Sequence, residues 1–139
     1  MRALVVEDNE SLRVLFQLFL QNMGFETDEA PDGSVGFKKI QKTDYDIILS
    51  DMDMPNVNGA ELYQMIAAYS PRLVSRLLFT TGNGFGGRYE DFLKAVPCPV
   101  LFKPFLLVEF KEIVQLLLDR TRETNVLPNE APGIHSLHA

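Results

Sequence analysis

The sequence predicts an α/β fold in which five parallel strands alternate with five helices in one doubly wound (βα)5 sheet. Apolar runs such as residues 47–49 are too short for helices and suit strands that are buried on both faces of a parallel sheet. Longer segments with apolar residues at helical spacing separate these runs, so each strand is followed by a right-handed crossover. One strand order for such a sheet is 2-1-3-4-5.

The first half of the chain contains two strand and helix pairs. Residues 3–6 form a short apolar strand, and apolar residues then recur at helical spacing over residues 12–23 until Gly24 ends the helix. Residues 25–30 show partial alternation between apolar and polar side chains, which predicts a second, more exposed strand. A short helix over residues 35–40 follows a turn.

The second half of the chain contains three further strand and helix pairs. The strands are predicted over residues 46–50, 77–80 and 100–102. The helices are predicted over residues 60–69, 89–96 and 106–122. The helix over residues 89–96 is expected to be short or mobile because glycines crowd its start.

Composition and charge describe a single globular domain. The chain has 139 residues and a net charge of −6, which argues against nonspecific binding to nucleic acid or to anionic membranes. Its first ten residues fit neither a signal peptide nor a membrane span. The single cysteine, Cys98, fits a reducing cytoplasm and is interpreted as a small buried hydrophobic residue.

The end of the chain differs in character. Residues 123–139 contain two prolines and scattered apolar residues without periodicity, so we expect a domain over residues 1–122 followed by a loose tail. His135 and His138 lie in this tail. Without carboxylate or cysteine partners they are weak support for a metal site.

Polar residues follow four of the predicted strands directly: Glu7 with Asp8, Asp51, Thr81 and Lys103. Because parallel strands finish at the same edge of a sheet, these side chains should converge there. Three crowded carboxylates repel one another and need a cation. Oxygen ligands without histidine or thiol favour Mg²⁺ over zinc.

This combination predicts phosphoryl-transfer chemistry. A carboxylate beside Mg²⁺, a lysine and a hydroxyl is arranged as a nucleophile, since the metal and Lys103 neutralise the transferring oxygens and Thr81 donates to one of them. The product is an acyl phosphate on Asp51. The structural alternative is that the acids are helix caps and turn residues, Thr81 a strand residue and Lys103 a solvated charge.

Four motifs carry a resemblance to a known family. In chain order they are VVEDNESLR, DIILSDMDMPNVNG, LLFTTG and VLFKPF. Together they resemble the receiver domain of two-component response regulators over residues 1–122. The resemblance implies a flavodoxin-like strand order of 2-1-3-4-5 and a phosphorylation-activated switch in a phosphorelay. It also implies a histidine kinase or histidine phosphotransfer protein as phosphodonor.

The resemblance assigns the metal site and the phosphoacceptor. It implies that Asp51 is the phosphoacceptor, that Asp8 binds Mg²⁺ directly and that Glu7 acts on the metal through water. The backbone carbonyl of Asp53 completes the implied protein ligands.

The resemblance also assigns the switch residues. It implies that Thr81 is the hydroxyl that moves toward the phosphoryl group and that Lys103 is the salt-bridge partner. Gly82 is the small residue that leaves room for phosphate, and Pro104 follows Lys103 in the strained peptide usual for the family.

The sequence departs from the family pattern at one switch position. Receivers often carry Phe or Tyr three residues before the lysine, and here that position is Val100. Phe102 is expected to face away from this position and therefore not to replace the aromatic residue. The signal is therefore expected to travel through the loop and helix after Thr81. Asp53 and Asn83 occupy the two variable positions that, in the family, tune phosphate hydrolysis.

Three other functions fit parts of the sequence. The GxGxxG pattern over residues 82–87 suits a dinucleotide site, but that site needs an acid at the end of the next strand, where this chain has Lys103. An aspartyl-phosphate phosphatase fits the spacing of Asp51 and Asp53, but it needs a cap insertion that so short a chain lacks. A receiver-like interaction module that is never phosphorylated is the third alternative.

The output of the switch is less defined. No segment after Arg122 suits a DNA-binding or catalytic domain, so we expect a stand-alone receiver or a fragment of a longer regulator that signals by protein contact. In the last helix, Phe110, Ile113 and Leu117 are expected to face the sheet. Leu107, Val114 and Leu118 extend the apolar surface of that helix sideways, which widens the core face or forms a partner or homodimer surface.

Overall fold

Five parallel strands form one sheet, as the sequence predicts; the structure is a computed structural model that describes residues 1–82 and 87–124. The strands are β1 (Arg2–Val6), β2 (Glu26–Ala30), β3 (Ile47–Asp51), β4 (Leu77–Thr81) and β5 (Val100–Phe102). The helices are α1 (Glu10–Asn22), α2 (Gly33–Lys42), α3 (Gly59–Tyr69), α4 (Glu90–Ala95) and α5 (Leu107–Thr124). The order β2-β1-β3-β4-β5 confirms the predicted doubly wound topology.

The predicted elements are all present, and their bounds differ at the ends. Asp51 is the last residue of β3 rather than the residue after it, because its backbone still pairs with Thr80. A 3₁₀ helix over Pro71–Arg76 was not predicted. The helix α4 has six residues, in line with the expected short element.

The C-terminal helix extends to Thr124, two residues into the segment predicted as a tail. Residues 125–139, with His135 and His138, lie outside the described residues, so the predicted tail stays a prediction. Within the described ranges, no helix is both long and apolar enough to cross a bilayer.

Side-chain caps begin the helices that follow β1, β2 and β3. The Asn9 side chain accepts a hydrogen bond from the Leu12 N–H, and Asp32 does the same for Val35. At α3, Asn58 and Glu61 form a reciprocal capping box. These caps satisfy N–H groups that a helix start leaves unpaired. The caps at Asn9 and Asn58 also end the loop that contains Asp8 and the loop that follows Asp51.

The core has two layers, one on each face of the sheet. Strand residues alternate between them, so that Leu78 packs into the α1 and α5 layer while Phe79 packs into the α2, α3 and α4 layer. In the first of these layers the Phe16 ring stacks on Phe105 at 5.4 Å between ring centroids. Helices therefore cover both faces of the sheet, which leaves the strand ends as the accessible edge.

The structure decides between the two interpretations of the broad apolar surface of α5. Val114 and Leu118, which could widen the core face or form a partner surface, are both buried in the α1 and α5 layer. Phe110 and Leu117 are buried as predicted, Ile113 packs partly against the layer, and Leu107 is exposed. The buried stripe is broad because α5 packs against both the sheet and α1. Most of the apolar surface of α5 therefore belongs to the core rather than to a partner surface.

Cys98 is a small buried hydrophobic residue, as predicted. It lies in the α2, α3 and α4 layer and is 7% exposed. Its Sγ donates to the Val74 carbonyl oxygen at 3.6 Å, and burial raises the pKa of the thiol to about 12. The thiol is therefore protonated and unreactive at neutral pH.

Candidate functional site

Three carboxylates converge at the carboxyl edge of the sheet. Glu7 and Asp8 follow β1, and Asp51 ends β3, the neighbouring strand. One carboxylate oxygen from each of the three residues lies within 4.8 Å of the others. Glu7 and Asp51 are buried, whereas Asp8 is exposed. The cluster is thus a partly buried set of oxygen ligands that is open to solvent on the Asp8 side.

Lys103 bridges the two buried carboxylates. Its Nζ donates to Glu7 Oε1 at 3.0 Å and lies 3.3 Å from Asp51 Oδ1. Its backbone N–H donates to the Thr81 carbonyl oxygen at 2.8 Å, which continues the β4 and β5 pairing beyond the last strand residue. The Lys103–Pro104 peptide bond is cis. The lysine predicted for this edge is therefore held by its main chain and by two carboxylates.

The charges in the cluster are only partly balanced. Burial, and then the charge of Asp51, raises the pKa of Glu7 to about 7, although Lys103 opposes this rise. Burial also raises the pKa of Asp51. For Lys103 burial lowers the pKa, but the hydrogen bond to Glu7 and the negative charge of Asp51 outweigh it and the pKa is raised. One lysine does not neutralise three acids, so the site favours a further cation.

The donor set fits a hard divalent cation. Among the described residues, the cluster consists of carboxylates from three residues and includes neither histidine nor cysteine. Such an oxygen donor set is the chemistry of Mg²⁺ rather than of zinc. Few protein ligands and an exposed side leave room for retained waters, which Mg²⁺ usually keeps.

Thr81 lies at the same edge but faces the other way. Strand alternation places Glu7, Asp51 and Lys103 on the face covered by α1 and α5. Thr81 follows Phe79 by two residues and therefore faces the α2, α3 and α4 side, where it is buried. A group bound at the edge of the sheet would thus meet the lysine from one face and Thr81 from the other.

Asp53 contacts the site through its backbone. Its N–H donates to the Asp51 carboxylate, which opposes the rise in pKa of that group. Its side chain is exposed and lies 3.9 Å from the Arg88 guanidinium, a neighbour that the sequence analysis did not predict. Asn83, the second variable position, lies outside the described residues together with most of the GxGxxG loop.

The positions of Gly82 and Val100 follow the sequence analysis. A Cβ built on Gly82 meets no atom of the described residues within 4 Å, so these residues leave the space beside it open. Val100 is half-buried against the layer that contains Phe79 and Tyr89. The predicted parity of Phe102 was wrong. Phe102 lies two residues after Val100, pairs with Thr81 and therefore shares the face of Val100, where it is 40% exposed at the end of the strand.

The comparison with protein families decides the identity. The family model described as the response regulator receiver domain matches residues 3–115. The chain belongs to the response regulator receiver family. Receiver domains are regulatory signalling domains that are phosphorylated by histidine kinases, and this receiver is a phosphoacceptor signalling switch of a two-component system.

Curated relatives agree with this assignment. The transcriptional regulatory protein RprY of Bacteroides fragilis is 30% identical over 88% of this chain and 51% of its own length. The chemotaxis protein CheY-3 of Vibrio cholerae is 27% identical over 86% of this chain and 93% of its own length. The receiver thus spans about half of RprY, a smaller share of the sensor proteins that it also matches, and nearly all of CheY-3.

A solved structure shows the same fold with a ligand. The response regulator TrrA of Thermotoga maritima, in complex with Mg²⁺ and BeF, is 30% identical and has a TM-score of 0.71, over 84% of this chain and 98% of TrrA. The receiver described here therefore resembles a protein that binds Mg²⁺ and a beryllium fluoride.

The sequence analysis missed one residue beside the site. Thr80 is fully buried and pairs in register with Asp51. Its sequence position offered one signal: in a strand whose other residues before Thr81 are Leu77, Leu78 and Phe79, a hydroxyl is unexpected.

Proposed function

We propose that Asp51 accepts a phosphoryl group from a histidine kinase or a histidine phosphotransfer protein. The main support for this proposal is the carboxylate cluster. One oxygen from each of Glu7, Asp8 and Asp51 lies within 4.8 Å of the others, and Lys103 bridges Glu7 and Asp51. Carboxylates and a lysine at one edge of the sheet suit the binding of a phosphoryl group, whose anionic oxygens are accompanied by a metal cation.

The metal is proposed to be Mg²⁺. Asp8 and Asp51 bind it with their carboxylates, Glu7 acts through water, and the backbone carbonyl of Asp53 completes the protein ligands. When bound, Mg²⁺ neutralises the carboxylates and the phosphoryl oxygens. The raised pKa of Glu7, caused by burial and by Asp51, supports the need for this cation.

The transfer is a displacement at phosphorus. An oxygen of the Asp51 carboxylate forms a bond to phosphorus as the donor's P–N bond breaks, and the electron pair returns to the donor's histidine ring. The Lys103 ammonium forms an ion pair with one phosphoryl oxygen, and the Thr81 hydroxyl donates a hydrogen bond to another. Gly82 leaves access to the group. Hydrolysis later returns Asp51 to the carboxylate, so the receiver catalyses only its own phosphorylation and dephosphorylation.

The signal is proposed to leave through protein contact. Closure of Thr81 and Lys103 on the phosphoryl group shifts the population of the segment after β4 and of α4 toward a partner-binding state. Homodimerisation through α5 is a weaker proposal, because Val114 and Leu118 belong to the core and only side chains such as Leu107 and Leu116 remain exposed. A cytoplasmic location belongs to the same proposal, whether the receiver stands alone or is part of a longer regulator.

The test is the intact-protein mass after incubation with Mg²⁺ and acetyl phosphate. The native chain is expected to gain a single phosphoryl adduct that hydroxylamine removes, and Asp51→Asn is expected to gain none. Asp44→Asn is the matched control, because Asp44 is exposed and pairs with Arg76, away from the cluster. A native chain that neither forms the adduct nor binds beryllofluoride would contradict the proposal and favour a phosphorylation-independent interaction module.

A further inference from the structure

Thr80 carries a buried hydroxyl with no hydrogen-bond partner. It is 0% exposed near the end of β4, and among the described residues its Oγ1 is the buried side-chain polar atom that remains unpaired. An unpaired buried hydroxyl destabilises the folded state, and valine would fill the same space without that penalty. The hydroxyl therefore calls for a function that the resting structure does not use.

The register places this hydroxyl beside the proposed phosphoacceptor. Thr80 pairs with Asp51 on β3 and with Leu101 on β5. Residues in register share a face of the sheet, and neighbouring strands lie about 4.8 Å apart. Strand alternation also returns Lys103, two residues after Leu101, to that face. To reach Asp51 and Glu7, the Lys103 side chain must cross β4 on the face that carries Thr80.

The ammonium of Lys103 needs acceptors. It has three N–H donors and no acceptor, and its side chain is 19% exposed. In this structure it meets Glu7 Oε1 at 3.0 Å and Asp51 Oδ1 at 3.3 Å. Phosphorylation removes the charge of the Asp51 carboxylate, and Mg²⁺ competes for Glu7. In the phosphorylated state, Asp51 and Glu7 are therefore weaker acceptors for the Lys103 ammonium, which must at the same time bind a phosphoryl oxygen.

We propose that Thr80 is a positioning residue for Lys103 in the phosphorylated state. Thr80 Oγ1 accepts a hydrogen bond from Lys103 Nζ and holds the ammonium toward the phosphoryl oxygens. The inference rests on the proposed function of Asp51. It concerns a different hydroxyl from Thr81, which faces the other side of the sheet.

The variants that test this are Thr80→Val, which keeps the shape and removes the hydroxyl, and Thr80→Ser, which keeps the hydroxyl. Both are made in the full chain. Calorimetry measures the affinity for Mg²⁺ alone and for beryllofluoride at saturating Mg²⁺. We expect Thr80→Val to weaken beryllofluoride binding about 3- to 10-fold while the affinity for Mg²⁺ stays within about twofold. The reason is that the hydrogen bond from Lys103 to Thr80 forms only when the phosphoryl analogue is bound, so the variant loses it only in that state.

Thr80→Ser is expected to bind beryllofluoride within about twofold of the native chain. Thermal unfolding without ligand should show Thr80→Val to be at least as stable as the native protein, because it lacks the unpaired hydroxyl. Equal beryllofluoride affinity in Thr80→Val and the native chain overturns the inference. Equal weakening in both variants, or a parallel loss of Mg²⁺ affinity, also overturns it. If the native chain itself fails to bind beryllofluoride, the proposed function of Asp51 fails first.

Discussion

Lys103 allows two buried carboxylates to lie side by side. Glu7 and Asp51 are nearly inaccessible to solvent, and their charges repel each other. A buried ion pair adds little net stability by itself, but removing one partner leaves a buried charge unpaired. The residue that serves phosphoryl transfer in the proposal therefore also stabilises the resting fold.

Replacing this lysine should destabilise the protein. Lys103→Met is expected to lower the free energy of unfolding at neutral pH, without Mg²⁺, by about 2–4 kcal/mol. This is slightly below the usual loss for a broken buried pair, because Glu7 can take up a proton. Urea denaturation measures the change. Mg²⁺ should stabilise the variant more than it stabilises the native chain.

Lys94→Met is the matched control for that variant. Lys94 is 69% exposed and pairs with Glu90 four residues before it on α4. Its loss should change the free energy of unfolding by less than about 0.5 kcal/mol. Equal effects of the two substitutions would show that Lys103 does not hold the carboxylates together.

At the scale of the elements, the connection from β3 to α3 determines where Asp51 lies. The Gly59 N–H donates to the Met52 carbonyl oxygen at 3.0 Å. A Cβ on Gly59 would lie 2.8 Å from the Asp51 carbonyl oxygen and 2.9 Å from the Met52 Cα. The start of α3 thus packs directly on the backbone of the proposed phosphoacceptor, and only glycine allows this approach.

Gly59→Ala is therefore expected to reduce both stability and phosphorylation. The clash involves backbone atoms and should lower the free energy of unfolding by about 1–3 kcal/mol. Adduct formation with acetyl phosphate should slow because Asp51 shifts. Gly82→Ala is the control for stability alone, since its Cβ meets no atom of the described residues within 4 Å, and it should change the free energy of unfolding by less than about 0.5 kcal/mol. Unchanged stability and phosphorylation in Gly59→Ala would contradict the predicted clash.

The helix α5 offers a comparison between adjacent leucines. Leu117 is 1% exposed and Leu116 is 45% exposed. Leu117→Ala should lower the free energy of unfolding by about 2–5 kcal/mol, whereas Leu116→Ala should change it by less than about 0.5 kcal/mol. Chemical denaturation measures both. A large loss for Leu116→Ala, dependent on protein concentration, would instead indicate a dimer through the exposed face of α5.

At the scale of the whole molecule, the apolar core and the charged site occupy different parts of the fold. Two apolar layers pack the faces of the sheet, while the charged residues gather at its carboxyl edge. The domain predicted over residues 1–122 contains these layers, and α5 completes one of them. The residues after Thr124 are therefore proposed to be dispensable for both folding and phosphorylation.

Truncation tests this domain boundary. A chain that ends at Thr124 is expected to keep the thermal midpoint and the phosphoryl adduct of the full chain. A chain that ends at Leu116 removes two buried leucines, Leu117 and Leu118, and should unfold at a much lower temperature. A lower midpoint for the chain that ends at Thr124 would show that the tail packs on the domain.

The sequence alone predicted the order of the elements and the edge that carries the chemistry. Short apolar runs and helical periodicity are local patterns, and parallel strands must end together, so the convergence of Glu7, Asp8, Asp51 and Lys103 followed from topology. Cap residues such as Asn58 also act within a few positions of themselves. These features are recoverable from sequence because each depends on neighbours along the chain or on a general rule of the fold.

The tertiary structure decided which groups touch. The burial of Val114 and Leu118 depends on how α5 packs against α1 and the sheet, which periodicity cannot show. The bridge from Lys103 to Glu7 spans 96 positions, and the unpaired hydroxyl of Thr80 is visible only once its surroundings are packed. Such contacts form between residues far apart in the chain, and their hydrogen bonds and charges depend on distances of a few tenths of an ångström that only the folded molecule sets.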